Sequence, residues 1–172
     1  MTITAEILRT VADDVMAEAI AIRRWLHRNP ELSGEERKTA QFVAEKCSAL
    51  GCDIRENIGG HGLLARLPPF KSKETVLLRA DLDALPIQDG KQCEYASSVD
   101  GVSHSCGHDA HTAILLGAMM LLSRLDPVLP HNIAAIFQPA EEITEGAAAM
   151  IRDDVLEGLD ARRIYALHVY PY

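Results

Sequence analysis

Residues 75–83 read Thr75-Val76-Leu77-Leu78-Arg79-Ala80-Asp81-Leu82-Asp83. The first six are nearly continuous in apolar character, as for a strand buried on both faces. Two carboxylates follow at once. The same pattern recurs at Asn132–Gln138 (NIAAIFQ), which leads to Glu141-Glu142, and over residues 163–169, which contain His168. Between these runs lies His108–Leu125, with Ile114, Ala118, Leu121, Leu122 and Leu125 at helical spacing. Buried strands alternating with helices predict a layered α/β domain. In such sheets, sites gather outside the carboxyl ends of strands. The acidic pairs and His168 are therefore expected on one rim, although they are far apart in sequence.

The flanking segments complete the outline. Ile7, Val11, Val15, Ala19, Ile22 and Leu26 recur at steps of three and four, which predicts an amphipathic helix stopping near Asn29-Pro30. Ser33 and Glu36 have capping-box spacing, so a second helix is expected from there to about Leu50, with Gly51 as terminator. Weaker strand signals cover residues 52–56 and Gly62–Leu67. Residues 81–101 read as a long loop, and long loops inside compact domains are often functional. A last helix is expected over residues 146–156. Trp25 and the Met119-Met120 pair read as core.

The chain has 172 residues, enough for one domain with a proper core. Its net charge of −8 argues against a nucleic-acid or anionic-membrane surface. No apolar stretch reaches a transmembrane length, and the mixed polar N-terminus does not read as a secretory signal. The four cysteines, Cys47, Cys52, Cys93 and Cys106, lack the spacing of a disulfide framework. A reduced, cytoplasmic setting is the expectation. Cys47 reads as a small core residue, and Cys52 and Cys93 carry no assigned role.

Residues 104–111, His-Ser-Cys-Gly-His-Asp-Ala-His, hold three imidazoles, a thiol and a carboxylate. Such a cluster is costly to bury without a partner, and a metal is the usual one. On spacing alone, Cys106 and His108 also fit a polar turn opening a helix, with Asp109 favoured by the dipole. Glu141-Glu142 alone fits a helix-start acidic pair. His168 alone fits a hydrogen-bonded strand end. His27, before Asn29-Pro30, reads as a helix end packed under the site.

Five motifs occur in order: LHRNPELS (residues 26–33), RADLDALP (79–86), SHSCGHDAHT (103–112), QPAEE (138–142) and ALHVYP (166–171). Together they resemble the amidohydrolase branch of the aminoacylase/carboxypeptidase metallohydrolases. That branch includes hippurate hydrolases, N-acyl-amino-acid amidohydrolases and auxin-conjugate hydrolases. The resemblance implies a three-layer α/β/α, metallo-exopeptidase-like catalytic domain, present in part over residues 1–172. It implies a site for two divalent ions (zinc, manganese, cobalt or nickel), with Cys106, His108, Glu142 and His168 as ligands. Glu141 matches the general base, and Asp83 matches the aspartate that orients a ligand. Asp81 stands where other branches carry a ligating histidine and receives a supporting role; His104, Asp109 and His111 flank the site. Ser103, Ser105 and Ile143-Thr144-Glu145 depart from the usual pattern without removing a ligand.

Members of that branch are longer. They continue into a lid domain, usually the dimerisation surface, and return with a last histidine ligand. This chain stops at Tyr172, so a truncated catalytic domain is expected. Two functions follow from the resemblance. One is hydrolysis of N-acyl amino acids by metal-activated water. The other is an inactive fragment that binds metal, self-associates or pairs with a complementing C-terminal chain. A thiolate and neutral imidazoles favour a borderline ion such as zinc. Two neighbouring carboxylates let one bind metal while the other moves a proton, worth ~10²–10⁴-fold in rate.

Overall fold

In the computed structural model, described residues are 4–68, 72, 74–125 and 129–170. The elements, in order, are α1 (Ala5–Arg28), α2 (Arg37–Ala49), β1 (Asp53–Ile58), β2 (Gly62–Leu67), β3 (Glu74–Asp81), α3 (His108–Leu125), β4 (Asn132–Gln138), α4 (Gly146–Arg152) and β5 (Asp160–Ala166). The sheet order is β1-β2-β4-β3-β5. The short β1–β2 connection forces an antiparallel pair, and β2 is antiparallel to β4. β3 is parallel to both β4 and β5. The carboxyl ends of these three strands therefore share one rim.

Strand alternation sorts the core into two layers. Leu63, Ala65, Leu67, Ala80, Ala135 and Phe137 face a cluster with Val15, Ile22, Leu26, Val43 and the buried side of α3. Leu64, Leu77, Ala134 and Ile136 point the other way, onto Met150 and Val155. The result is the expected α/β/α sandwich, with α1, α2 and α3 on one face and α4 on the other. Among the described residues no helix is long and apolar enough to cross a membrane.

The expected single apolar stripe on α3 needs correction. α3 is covered by the sheet on one side and by α1 on another, so His111, Thr112, Leu115, Leu116, Gly117, Met119 and Met120 are buried while Ile114 is exposed. A Cβ on Gly117 would touch the Ala19 methyl at 3.4 Å, which shows how closely α1 lies across it. Trp25 is only partly buried; it stacks on Phe42, with ring centroids 3.8 Å apart.

The capping-box expectation also fails. α2 starts at Arg37, and the Glu36 side chain makes no cap bond to it. Instead Glu31 reaches in from outside, accepting from the Lys38 and Thr39 amides at 3.2 and 2.8 Å and from the Thr39 hydroxyl at 2.9 Å. Ser33 and Glu36 are committed to longer-range partners, which a local motif cannot reveal. The other end of α2 follows its expected terminator. Gly51, at φ 73, donates to the Ser48 carbonyl at 2.9 Å, and Cys52 donates to the Cys47 carbonyl at 3.2 Å.

Two later elements are shorter or shifted. α4 ends at Arg152 because Asp154 turns left-handed at φ 54. β5 begins at Asp160, three residues before the expected start, and its pairing with β3 ends at Ala166. All seven of its residues are exposed.

Between β4 and α4 the chain makes a tight reversal. Ala140 (φ 49) and Thr144 (φ 58) are both left-handed, and the Ala140 carbonyl accepts from Glu145 and Gly146 at 3.3 and 3.1 Å. A Cβ on Gly146 would lie 1.6 Å from the Pro139 carbonyl oxygen, so only glycine fits. Gly146→Ala is expected to destabilise the fold by several kcal/mol, lowering the melting midpoint by on the order of 10 °C. An unchanged midpoint in a calorimetric scan would contradict the reversal as drawn.

Candidate metal centre

The rim is built from four chain segments. β3 delivers Asp81, then Asp83, and the Leu82 amide donates to the Gln138 carbonyl at 2.9 Å, fastening the ends of β3 and β4 together. The Thr112 hydroxyl donates to the Asp81 carbonyl at 2.6 Å, docking the first turn of α3 on the same corner. β4 leads through Pro139 and Ala140 to Glu141 and Glu142. β5 leads to His168. Gly107, at φ 88, turns the chain into α3 with Cys106 before it and His108 after it. A Cβ on Gly107 would lie 2.4 Å from Val169 Cγ2, so glycine also admits the segment that carries His168.

These segments converge on a small space. His108 Nε2 lies 3.6 Å from Glu142 Oε1 and 3.7 Å from Glu141 Oε2. Cys106 Sγ lies 3.4 Å from His168 Nε2. One donor atom each from Cys106, His108 and His168 lie within 4.8 Å of one another, and the same holds for His108, Glu141 and Glu142. His108 Nε2 and Glu142 Oε1 are buried without any hydrogen-bond partner. Two orphaned, mutually facing donor atoms beside a thiol and a second imidazole suit a soft-to-borderline divalent cation.

Asp83 organises this set. It is fully buried. Its Oδ1 accepts from His108 Nδ1–H at 3.2 Å; its Oδ2 accepts from the Ser33 hydroxyl at 2.7 Å and the Glu142 amide at 2.9 Å. Burial alone would push its pKa up. The bonds from His108, Glu142 and Ser33 outweigh it and hold the carboxyl at about 2. Since Nδ1 of His108 donates, its Nε2 is the ring atom that faces the donor cluster. Burial opposes a charge on His108, but the same Asp83 bond leads the groups that raise its pKa. Burial and Glu142 push the Cys106 thiol up to about 11. A bound divalent cation reverses the sign of both effects.

The flanking residues act on the frame. His111 Nδ1 bonds Asp81 Oδ2 at 3.3 Å, and His111 Nε2 accepts from the Val169 amide at 3.1 Å. Both ring nitrogens are thus engaged, although Asp81, His108 and His111 also lie close enough to form a donor group. Asp81 is ion-paired to Arg79. His168 Nδ1–H donates to the Val169 carbonyl at 2.7 Å, which leaves Nε2 for the cluster. His27 is buried under the site as expected, between Asp109 at 2.7 Å and Asp89 at 3.2 Å. His104 is buried with neither ring nitrogen partnered, and burial lowers its pKa to about 4.

All six sequence-predicted residues therefore meet here: Cys106, His108, Glu142 and His168 as facing donors, Glu141 beside them, and Asp83 behind. Sequence reading missed Ser33, which bonds Asp83, and Glu36, whose Oε1 accepts from the Ala140 amide at 2.7 Å and holds the turn before Glu141. Both lie in the LSGEE stretch, where a capping-box spacing masked a longer-range use.

Residues 77–171, more than half of the chain, match the model of peptidase family M20/M25/M40. The N-acyl-L-amino acid amidohydrolase of Geobacillus stearothermophilus is 42% identical over 158 residues, covering 91% of this chain and 43% of that protein. Thermostable carboxypeptidase 2 of Saccharolobus solfataricus is 41% identical over 153 residues, covering 87% of this chain and 38% of that protein. The crystal structure of Bacillus subtilis YxeP, described as a dinuclear metal-binding peptidase, superposes with a TM-score of 0.85 at 36% identity, over 92% of this chain and 44% of that one. The chain spans about two fifths of the length of the relatives it matches.

Asp83→Asn keeps the shape but removes the charge that orients His108 and Glu142. Zinc affinity, read by competition with a chromophoric chelator, is expected to fall about 10–100-fold. Equal affinity in the variant would remove Asp83 from its orienting place.

Proposed function

The chain belongs to peptidase family M20/M25/M40, and from that premise we propose that it is part of the catalytic domain of a metal-dependent amidohydrolase acting on N-acyl amino acids. The observation that carries this reading is the pair of orphaned, buried atoms, His108 Nε2 and Glu142 Oε1, facing Cys106 and His168 with Glu141 alongside. Cys106, His108, Glu142 and His168 would hold the ions, two in a complete site. When bound, divalent ions acidify water and polarise the scissile carbonyl. Glu141 is the more exposed carboxylate of its pair, so it is free to meet a substrate. It takes a proton from the attacking water and delivers it to the leaving amine nitrogen. The amide C–N bond breaks, and a carboxylic acid and a free amino acid result. Asp83 holds His108 and the Glu142 backbone in place throughout. The similarity to an N-acyl-L-amino acid amidohydrolase supports this substrate class.

A second reading has one observation in its favour. β5 is exposed along its whole length, with Ile164 at 59% and Tyr165 at 54%. A strand so bare suits a chain that holds metal and associates with another polypeptide, without turnover of its own.

Metal content separates the readings. Purified without chelator, the chain is expected to carry about two equivalents of divalent ion and to release amino acid from an N-acetyl or hippurate substrate. One equivalent or none, with no hydrolysis, supports the second reading. Glu141→Ala is expected to lose at least ~10²-fold in hydrolysis with metal content unchanged; retained turnover would displace Glu141 as the base. Cys106→Ser should weaken zinc binding measurably in the same competition titration.

A further inference from the structure

The turn that ends α2 places two sulfur atoms together. Its bonds, from Gly51 to the Ser48 carbonyl and from Cys52 to the Cys47 carbonyl, form a Schellman motif. In that motif the side chains of the third-last helical residue and the second residue beyond the C-cap meet. Those positions are ordinarily a hydrophobic pair; here they are Cys47 and Cys52. Cys47 is fully buried in the core cluster, and Cys52 packs against the same cluster while remaining partly accessible. Their side chains are close enough for each thiol to perturb the other. The pair belongs to α2 and the residue just before β1, and neither residue belongs to the metal-ligand groups.

We propose that Cys47 and Cys52 are a modification site, a thiol pair that reacts with a low-molecular-weight disulfide and closes to an intrachain disulfide. The contact supplies the division of labour. The neighbouring Cys47 thiol lowers the pKa of Cys52, and the neighbouring Cys52 thiol together with burial raises that of Cys47. Cys52, the accessible member, loses its proton to solvent, and its thiolate attacks one sulfur of the small disulfide. A mixed disulfide forms on Cys52, and one small thiolate leaves. Cys47 Sγ then attacks Cys52 Sγ, and its proton leaves on the second small thiol as that thiol departs. Two cysteine thiols are oxidised, and one disulfide is reduced to two thiols. The new bond closes a ring over residues 47–52 and staples the end of α2 to the entry of β1. Cys93 is exposed and lies outside this turn, so it can take up the small thiol but has no part in the closure.

The test uses glutathione disulfide on the full chain, followed by thiol alkylation and trypsin. Cleavage after Lys46 and Arg55 puts both cysteines on one peptide, residues 47–55, apart from Cys93 and Cys106. The expected product is that peptide lighter by two hydrogen atoms and closed to alkylation. In Cys47→Ala, glutathione should accumulate on Cys52, and in Cys52→Ser, Cys47 should stay free. If the wild-type peptide carries glutathione on Cys52 without closing, the proposal fails. It fails equally if both cysteines remain alkylatable while Cys93 on the same sample has taken up glutathione.

Discussion

The Asp83 carboxylate is the constraint on which the site depends. It is one buried negative charge with three donors, drawn from a loop (Ser33), a helix (His108) and the turn after β4 (Glu142). An unpaired carboxylate in that position would be untenable. Its ionised state is sustained because each donor is delivered by an element with its own reason to be there. The same geometry orients the ring of His108 and the backbone of Glu142 at once. Hydrogen bonding, charge and ligand placement are therefore one arrangement and cannot be adjusted separately.

Much of the fold was legible because local pattern and tertiary environment agree. Gly62–Leu67, His108–Leu125 and Asn132–Gln138 were expected with the bounds they have, since buried strands and a long helix between turn signals leave few alternatives. Expectations failed where a residue serves two scales. Ser33 and Glu36 have the spacing of a local cap, yet each bonds a partner more than forty positions away. The apolar stripe of α3 was misplaced because periodicity finds one face, whereas this helix is covered on two. β5 was expected too late because its pairing, not its apolar content, decides where it ends.

The donor set was legible for a different reason. Thiols, imidazoles and paired carboxylates are expensive to gather, so their clustering after strand-like runs marks a shared rim. What remained hidden is the scaffold that holds them: the His111 bond to the Val169 amide, Asp89 beneath His27, and the two roles of Gly107. These are contacts between segments distant in the chain, and no local spacing encodes them. The Cys47–Cys52 contact was hidden more narrowly, since a six-residue turn brings together two thiols whose spacing matches no disulfide framework.

The strand order bears on when the donors can meet during folding. β2 and β3 are consecutive in the chain, but β4 lies between them in the sheet. A growing polypeptide that has made everything through α3 therefore holds a sheet with its middle strand absent. Only the arrival of Asn132–Gln138 fills that gap, fastens Leu82 to Gln138 and brings Glu141 and Glu142 to the rim. Closure at the centre is a non-local event, and non-local pairing is the slow part of assembly. A cation that needs Glu142 and His168 as well as Cys106 and His108 meets its full donor set only on the finished sheet. There it acts as a latch, stabilising the native state to the extent that it binds that state more tightly than the partly folded ones.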